Sequence, residues 1–307
     1  MNKTLITLGD PGGIGYEIFL KSIEYLKNKN VTIIGNISTL RYYAKIFNLT
    51  LNMEGLDFIN IGEDNFIPEI GKNSEKNGHI AIESINQAIR IIKNDVNINL
   101  ITGPVSKKSI VMAGYKEFRG HTDYLAENFN IKEYTMLLAN PVFSVALVTI
   151  HEPLSKVPLL INKESVKKTI IHLNEFKNKI DPEDKIYVCG LNPHSGEDGA
   201  IGREDIEIIK PVIDELKNKN INVEGPFPAD SIFKKGFSGE VKYFVAMYHD
   251  QGLTPLKMIS NRVVNITLGL PFFRISVGHG TGFDIAGKGF ADNLSFLECL
   301  RFLKLIS

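Results

Sequence analysis

The chain has 307 residues, with 35 basic and 35 acidic side chains and a formal net charge of zero. This balance argues against a protein that binds nucleic acid or anionic lipid through a charged surface. Two cysteines are too few for a disulfide framework and favour a reducing compartment. Because the sequence starts without a signal-peptide pattern and has no apolar run of about 18 residues, we expect a cytoplasmic protein.

Short apolar runs alternate with longer amphipathic segments along the whole chain, which predicts an α/β fold with a mostly parallel sheet between layers of helices. Only Pro141 and Val142 separate TMLLAN from FSVALVTI, so this pair predicts a hairpin and makes the sheet mixed. The predicted helices span residues 15–28, 79–93, 163–179 and 204–217. The predicted strands are TLITLG, VTIIG, DFINIG, INLITG, TMLLAN, FSVALVTI, KIYVCGL, YFVAMYH, VVNITLG and FRISVG.

A glycine-rich turn, GDPGGIG, follows the first predicted strand at residues 9–15. It does not fit the G-x-G-x-x-G dinucleotide fingerprint, because Ile18 stands where the third glycine should be. The second strand ends in Gly35 and Asn36 and lacks the acidic residue that would hold a ribose. A Rossmann cofactor site is therefore not expected, and the glycines serve either a tight turn or the floor of an active site.

Five of the seven histidines lie at or just beyond the end of an apolar run, beside glycine or proline. The carboxyl ends of parallel strands meet at one edge of a sheet, so these side chains should converge. Their spacing is too long for a zinc finger and no cysteines accompany them. The pattern predicts a catalytic metal site with open positions, built from distant loops. The five are His121, His151, His194, His249 and His279.

Candidate anion-binding groups accompany the histidines. The segment GPVSKKS at residues 103–109 follows a predicted strand and can begin a helix, so its amides and lysines could hold a phosphate. Lys257 and Arg274 flank the apolar strand VVNITLG. Each needs an anionic partner, which is either Asp230 or Asp250 or an anionic substrate.

Six blocks of the sequence are together similar to the signature of the 4-hydroxythreonine-4-phosphate dehydrogenase family of pyridoxal phosphate biosynthesis. They are GDPGGIG, GHTDYLA, LNPHSGE, GPFPADSIF, YHDQGLTPLK and VNITLGLPFFRISVGHGT. The closing HGTGFDIAGKGFADN also resembles the cofactor loop of isocitrate and isopropylmalate dehydrogenases. The resemblance implies an isopropylmalate dehydrogenase-like fold of two α/β/α domains, a terminal one of residues 1–120 plus 270–307 and a central one of residues 121–269.

The resemblance also implies an NAD cofactor, one divalent metal (Zn, Mg or Co) per active site, and a homodimer whose sites lie at the interface. By position, the metal would be bound by His151, His194 and His249. The substrate would be bound by His121, Thr122, Lys257, Asn265 and Arg274. NAD would be bound by His279, Gly280, Thr281, Asp284, Gly287 and Asn293, and the proton carrier would be Lys257 or Asp230.

The implied reaction is the NAD-dependent oxidation and decarboxylation of 4-phosphooxy-L-threonine to 3-amino-2-oxopropyl phosphate in pyridoxine 5'-phosphate (vitamin B6) biosynthesis. A first alternative keeps the chemistry and changes the substrate to a threonate or erythronate phosphate. A second is a metal-dependent phosphate hydrolase or acyl-phosphate transferase on a similar scaffold. A third is a non-catalytic binding protein.

The cofactor loop departs from the family pattern at two positions. Gly278 stands where aspartate is usual and Gly282 where alanine is usual. Both glycines add backbone freedom that binding must remove, which predicts weak NAD binding. If the backbone at Gly282 has a negative φ, Gly282→Ala should tighten NAD binding. No basic residue precedes Lys288 in the loop, so NAD is expected over NADP.

Overall fold

The structure is a computed structural model that describes residues 2–27 and 29–306. The chain divides into two compact units, one formed by the residues up to Lys132 together with Leu270–Leu305, and the other by Glu133–Gly269. Within the described residues, no helix is long and apolar enough to cross a membrane.

The strands are short, and most of their residues are buried. In chain order they are β1 (Thr4–Thr7), β2 (Val31–Gly35), β3 (Asp57–Asn60), β4 (Asn99–Thr102), β5 (Thr135–Ala139), β6 (Ser144–Leu147), β7 (Ile186–Cys189), β8 (Val223–Phe227), β9 (Tyr243–Ala246), β10 (Val264–Leu268) and β11 (Arg274–Val277).

The helices fill the connections between the strands. They are α1 (Gly15–Ser22), α2 (Ile37–Ile46), α3 (Glu75–Asn94), α4 (Lys107–Met112), α5 (His121–Asn128), α6 (Val157–Leu160), α7 (Lys163–Asn178), α8 (Lys210–Lys217), α9 (Ala229–Phe237), α10 (His249–Ile259) and α11 (Leu294–Ile306).

The first unit contains five parallel strands in the order β3-β2-β1-β4-β11. Helix α3 packs against this part of the sheet through isoleucines spaced three or four residues apart, including Ile85, Ile89 and Ile92, which form one cluster with Leu5 and Leu100. Because the strands are parallel, the loops that follow β1, β4 and β11 all leave from the same edge.

The second unit contains six strands in the order β10-β5-β6-β9-β7-β8. Strand β5 runs antiparallel to both of its neighbours, and β6, β9, β7 and β8 are parallel to one another. Phe143, Phe233 and Phe244 pack against one another in its core. The loops after β6, β9, β7 and β8 therefore share one edge, and they carry His151, His249, His194 and Asp230 in that spatial order.

The prediction of a mixed, mostly parallel α/β sheet is confirmed, and so is the hairpin, since β5 and β6 pair antiparallel. Strand β8 was missed, because Gly225 and Pro226 interrupt its sequence. The helix predicted from residue 15 gives way to a 3-10 turn, Ile23–Leu26, and the helix predicted from residue 204 begins as a π-helical segment, Asp205–Ile209.

One predicted domain boundary differs from the division into units. Residue 121 was placed at the start of the central domain, whereas the whole of α5 lies in the first unit and the second unit begins at Glu133. The hydrophobic contacts of α5 explain the difference, because Leu125 is buried in the same cluster as the isoleucines of α3.

Candidate active site

Two of the three predicted metal ligands lie side by side. His151 follows β6 and His249 begins α10 directly after β9, and their ring centroids are 5.4 Å apart. Gly252 lets α10 lie close to the sheet, since a Cβ at this position would be 2.7 Å from Val145 Cγ1. The Nδ1 atom of His249 is 2.7 Å from Asp250 Oδ1, an arrangement in which Nδ1 donates and Nε2 keeps a lone pair for a metal.

His194, the third predicted metal ligand, lies in a turn after β7 in which residues 194–198 all have positive φ. Its Nδ1 is 2.9 Å from Glu197 Oε1. The hydrogen bond to Glu197 and the charge of that carboxylate raise the pKa of His194, and Asp230 adds a smaller increase. As in His249, a carboxylate at Nδ1 leaves Nε2 as the free ring nitrogen.

These imidazoles suit a divalent metal, since ligating histidines commonly donate their second ring N–H to a carboxylate. Within residues 2–27 and 29–306, however, no three His, Cys, Asp or Glu side chains form a group that could hold a metal. The structure thus brings His151 and His249 together, and the participation of His194 stays a prediction.

The other candidates in the second unit are Lys257, Asp230 and Asn265. Lys257 is exposed in the last turn of α10, Asp230 is exposed in the first turn of α9, and Asn265 is half-buried on β10. Because Lys257 and Asp230 are both exposed, each stays a predicted proton carrier.

Three substrate-binding candidates lie in the first unit. Arg274 on β11 is 2% exposed and donates from Nη2 to Thr102 Oγ1 at 2.7 Å. Burial lowers the pKa of its guanidinium to about 10. Burial, and then the charge of Arg274, hold the pKa of His121 well below its usual value, so this imidazole is neutral at physiological pH. Thr122 follows His121 in the first turn of α5.

The position of His121 differs from the sequence prediction. It does not follow a strand but begins α5 after Gly120, which has an extended backbone and provides no side-chain cap. Its ring contacts Phe118 edge-on, and its Nε2 is buried with no hydrogen-bond partner among the described residues. A neutral imidazole with a free ring nitrogen next to a buried arginine fits the predicted role in binding a polar substrate group.

The predicted cofactor loop packs against the glycine-rich turn of residues 9–15. Ile14 N donates to Thr281 O at 2.9 Å, and a Cβ at Gly13 would be 2.8 Å from that same oxygen. This contact requires glycine at position 13, because a side chain there would clash with Thr281, and a role of the turn in the floor of an active site stays a prediction.

The individual residues of this loop differ in their contacts. Asp284 is exposed, and His279 Nδ1 lies 3.0 Å from Gly280 O. Asn293 Nδ2 instead donates to Lys21 O and Ser22 Oγ. The side-chain nitrogen of Asn293 therefore holds the end of the loop against α1. Its side-chain oxygen, Oδ1, is the atom that could contact a ligand.

Gly282 has φ +54°, and a Cβ there would be 2.9 Å from Ile14 Cδ1. The predicted benefit of Gly282→Ala depended on a negative φ at this position, so that prediction is wrong. An L side chain at this position would meet both an unfavourable backbone conformation and a steric contact.

The sequence reasoning missed Asp10, a buried carboxyl group in the glycine-rich turn. Burial raises its pKa to about 6, against the opposing effect of hydrogen bonds such as that from Gly12 N to Oδ1 at 2.8 Å. A single acidic residue between glycines after a buried strand was the available signal.

Relatives of the chain are dehydrogenases. It is 39% identical to "4-hydroxythreonine-4-phosphate dehydrogenase" of Sulfurihydrogenibium sp. (strain YO3AOP1), covering 100% of this chain and 98% of the relative. It is 38% identical to "Putative D-threonate 4-phosphate dehydrogenase" of Oceanobacillus iheyensis, with 96% and 95% covered. The crystal structure of 4-hydroxythreonine-4-phosphate dehydrogenase from Klebsiella pneumoniae matches with a TM-score of 0.87 at 29% identity and 100% coverage of both chains. The chain is an oxidoreductase with an α/β fold.

The family follows from a direct match. The model of the family described as "Pyridoxal phosphate biosynthetic protein PdxA" matches residues 17–303, and the chain belongs to this family. A β-decarboxylating dehydrogenase from Thermococcus kodakarensis has the same fold, with a TM-score of 0.52 at 14% identity, over 99% of this chain and 84% of the other. These matches confirm the resemblance and the fold class predicted from the sequence blocks.

Proposed function

We propose that the protein oxidises 4-phosphooxy-L-threonine with NAD and decarboxylates the product to 3-amino-2-oxopropyl phosphate, as a step of pyridoxine 5'-phosphate formation in the cytoplasm. The observation that carries the proposal is the adjacent pair His151 and His249, with rings 5.4 Å apart at the edge of a sheet, in a chain of this family.

A bound divalent metal (Zn, Mg or Co) would supply Lewis acidity, and bound NAD would be the hydride acceptor. His151, His194 and His249 would hold the metal. The loop with His279, Gly280, Thr281, Asp284 and Gly287 would hold NAD, with the oxygen of Asn293 at its end.

The remaining roles belong to binding and proton transfer. Arg274 offers a planar fork of donors for a phosphate or carboxylate, and the neutral His121 beside it can exchange a hydrogen bond with the substrate without adding charge. Thr122, Lys257 and Asn265 would complete the contacts. Lys257 or Asp230 would accept the hydroxyl proton while NAD would accept the hydride, which gives a β-keto acid. Loss of carbon dioxide would leave an enolate, and the proton carrier would return a proton to it to give 3-amino-2-oxopropyl phosphate.

The substrate can be tested directly against the alternative that one relative's name suggests. With NAD and Co²⁺ present, NADH should form with a higher kcat/KM from 4-phosphooxy-L-threonine than from D-threonate 4-phosphate. The two differ in an amino group against a hydroxyl group, so the comparison isolates that contact. A higher kcat/KM for D-threonate 4-phosphate would show that the proposed substrate is wrong and that the threonate phosphate is the preferred one.

We also propose a homodimer with shared active sites. Large apolar side chains of the second unit are exposed in the single chain, including Leu159 at 83% and Met258 at 76%, and burying them would favour association. Equilibrium sedimentation at micromolar concentration should give twice the chain mass, and a fully active monomer would refute the shared site.

A test of the cofactor loop follows from the geometry at Gly282. We expect Gly282→Ala to weaken NAD binding several-fold, because the αL backbone costs about 1–2 kcal/mol for an L residue and Ile14 obstructs the new methyl group. Titration calorimetry with NAD measures the effect. Gly239→Ala is the matched control, since Gly239 also has a positive φ, +77°, but lies outside the proposed NAD loop, and a Cβ there meets nothing within 4 Å. Equal NAD affinities for the two variants would contradict this role of the loop.

A further inference from the structure

The segment Gly190–Gly202, called here the His194 loop, has an unusual backbone. Five consecutive residues, 194–198, have φ values of 50°, 53°, 83°, 43° and 53°. Four of the five are not glycine, and L residues rarely adopt this left-handed conformation in succession. Such a turn persists only where surrounding contacts hold it.

One buried carboxylate makes those contacts. Asp205 is 0% exposed, and its Oδ1 accepts a hydrogen bond from Leu191 N at 2.8 Å. Its Oδ2 accepts from Asn192 N at 3.1 Å and from Asn192 Nδ2 at 2.8 Å. Three donors from the start of the His194 loop therefore converge on a single side chain.

The surrounding backbone is shaped to bring the carboxylate and the loop together. A Cβ at Gly190 would be 2.6 Å from Asp205 Oδ1 and 2.9 Å from Ser195 Cα. Asp205 also begins the π-helical segment in which Lys210 N donates to its backbone oxygen, five residues earlier. Single π turns of this kind are frequent at functional sites.

We propose that Asp205 is a positioning residue that fixes the His194 loop, and with it the imidazole of His194, for metal binding. The inference rests on the proposed function, in which His194 is a metal ligand. Asp205 acts through the loop and touches neither metal nor substrate. Outer contacts of this type typically change metal affinity by about 10- to 100-fold.

The first test is calorimetric titration of the metal-free, full-length protein with Co²⁺. We expect Asp205→Asn to weaken Co²⁺ binding by about 10- to 100-fold. Glu207→Gln is the matched control, because Glu207 lies on the same π-helical segment and pairs with the exposed Arg203. This control should bind Co²⁺ as the unaltered protein does.

A double-mutant cycle separates positioning from general destabilisation. In a His194→Ala background, Asp205→Asn should cause no further loss of Co²⁺ affinity, since its effect passes through His194. A full additional loss there would overturn the proposal. Hydrogen exchange in the metal-free protein gives an independent result: the amides of Leu191 and Asn192 should lose protection in Asp205→Asn and keep it in Glu207→Gln.

The outcomes also distinguish this inference from the proposed function. If His194→Ala leaves Co²⁺ affinity unchanged, the proposed ligand role fails and the inference falls with it. If His194→Ala weakens binding and Asp205→Asn does not, only the inference is overturned. Should Asp205→Asn not fold, Asn192→Ala removes one of the three hydrogen bonds that Asp205 accepts. This variant should weaken Co²⁺ binding by a smaller factor, and unchanged Co²⁺ affinity would refute the positioning role.

Discussion

His249→Ala should lower turnover by roughly 100- to 1,000-fold while the protein stays folded. The reason is that a metal acting as Lewis acid contributes several kcal/mol to a transition state, and each 1.4 kcal/mol is a factor of ten in rate. The ring of His249 stands with that of His151 at a loop edge, outside the apolar core of the second unit. His151→Ala should have a similar effect.

Three measurements check this result: turnover, Co²⁺ affinity by calorimetry, and thermal unfolding. His79→Ala is the matched control, because His79 is an exposed histidine on α3 in the first unit. We expect it to change none of the three. Normal Co²⁺ affinity and activity in His249→Ala would show that the adjacent pair is not a metal site.

Arg274→Lys should lower kcat/KM for the phosphorylated substrate by roughly 10- to 100-fold, although the charge is kept. A lysine lacks the planar fork, and one hydrogen bond to a charged group contributes about 1.5–3 kcal/mol. Arg90→Lys is the control, since Arg90 is exposed and pairs with Glu83 on the surface. Equal kcat/KM values for Arg274→Lys and Arg90→Lys would show that Arg274 does not bind the substrate.

A second variant, Arg274→Gln, tests the electrostatic coupling to His121. The charge of Arg274 is the smaller of two causes that lower the pKa of His121, and burial is the larger. Removing the charge should therefore raise the pKa of His121 while leaving it below the usual value. NMR titration of the imidazole measures the shift, and an unchanged pKa would show that the two groups do not interact.

Much of the fold could be predicted because buried parallel strands appear in the sequence as short apolar runs and the helices as amphipathic segments between them. All of the predicted strands are present, and the two-residue Pro141–Val142 connection was sufficient to identify the antiparallel pair. Strand β8 has no continuous apolar run. Gly225 approaches Val188 too closely to carry a side chain, and Pro226 follows it. Its pairing with β7 depends on a neighbour that local sequence does not reveal.

The position of a site residue could be predicted where the residue directly follows a strand. It could not be predicted where contacts between distant segments determine the local conformation. His151 and His249 lie together because β6 and β9 are adjacent and parallel, which is the convergence that the sequence argument assumed. The positive φ at Gly282 and the three hydrogen bonds accepted by Asp205 arise from packing between distant segments. Neither feature had a signal in the local sequence, which explains why the Gly282 prediction failed and why Asp205 was not among the predicted site residues.

The most direct test of the proposed dehydrogenase activity is the absorbance of NADH when the protein is mixed with 4-phosphooxy-L-threonine, NAD and Co²⁺. We expect NADH to accumulate together with carbon dioxide, to stop when a chelator removes the metal, and to resume when Co²⁺ is restored. NADP should replace NAD poorly. Absence of NADH under these conditions from both 4-phosphooxy-L-threonine and D-threonate 4-phosphate, or undiminished turnover in the metal-stripped protein, would contradict the proposed function.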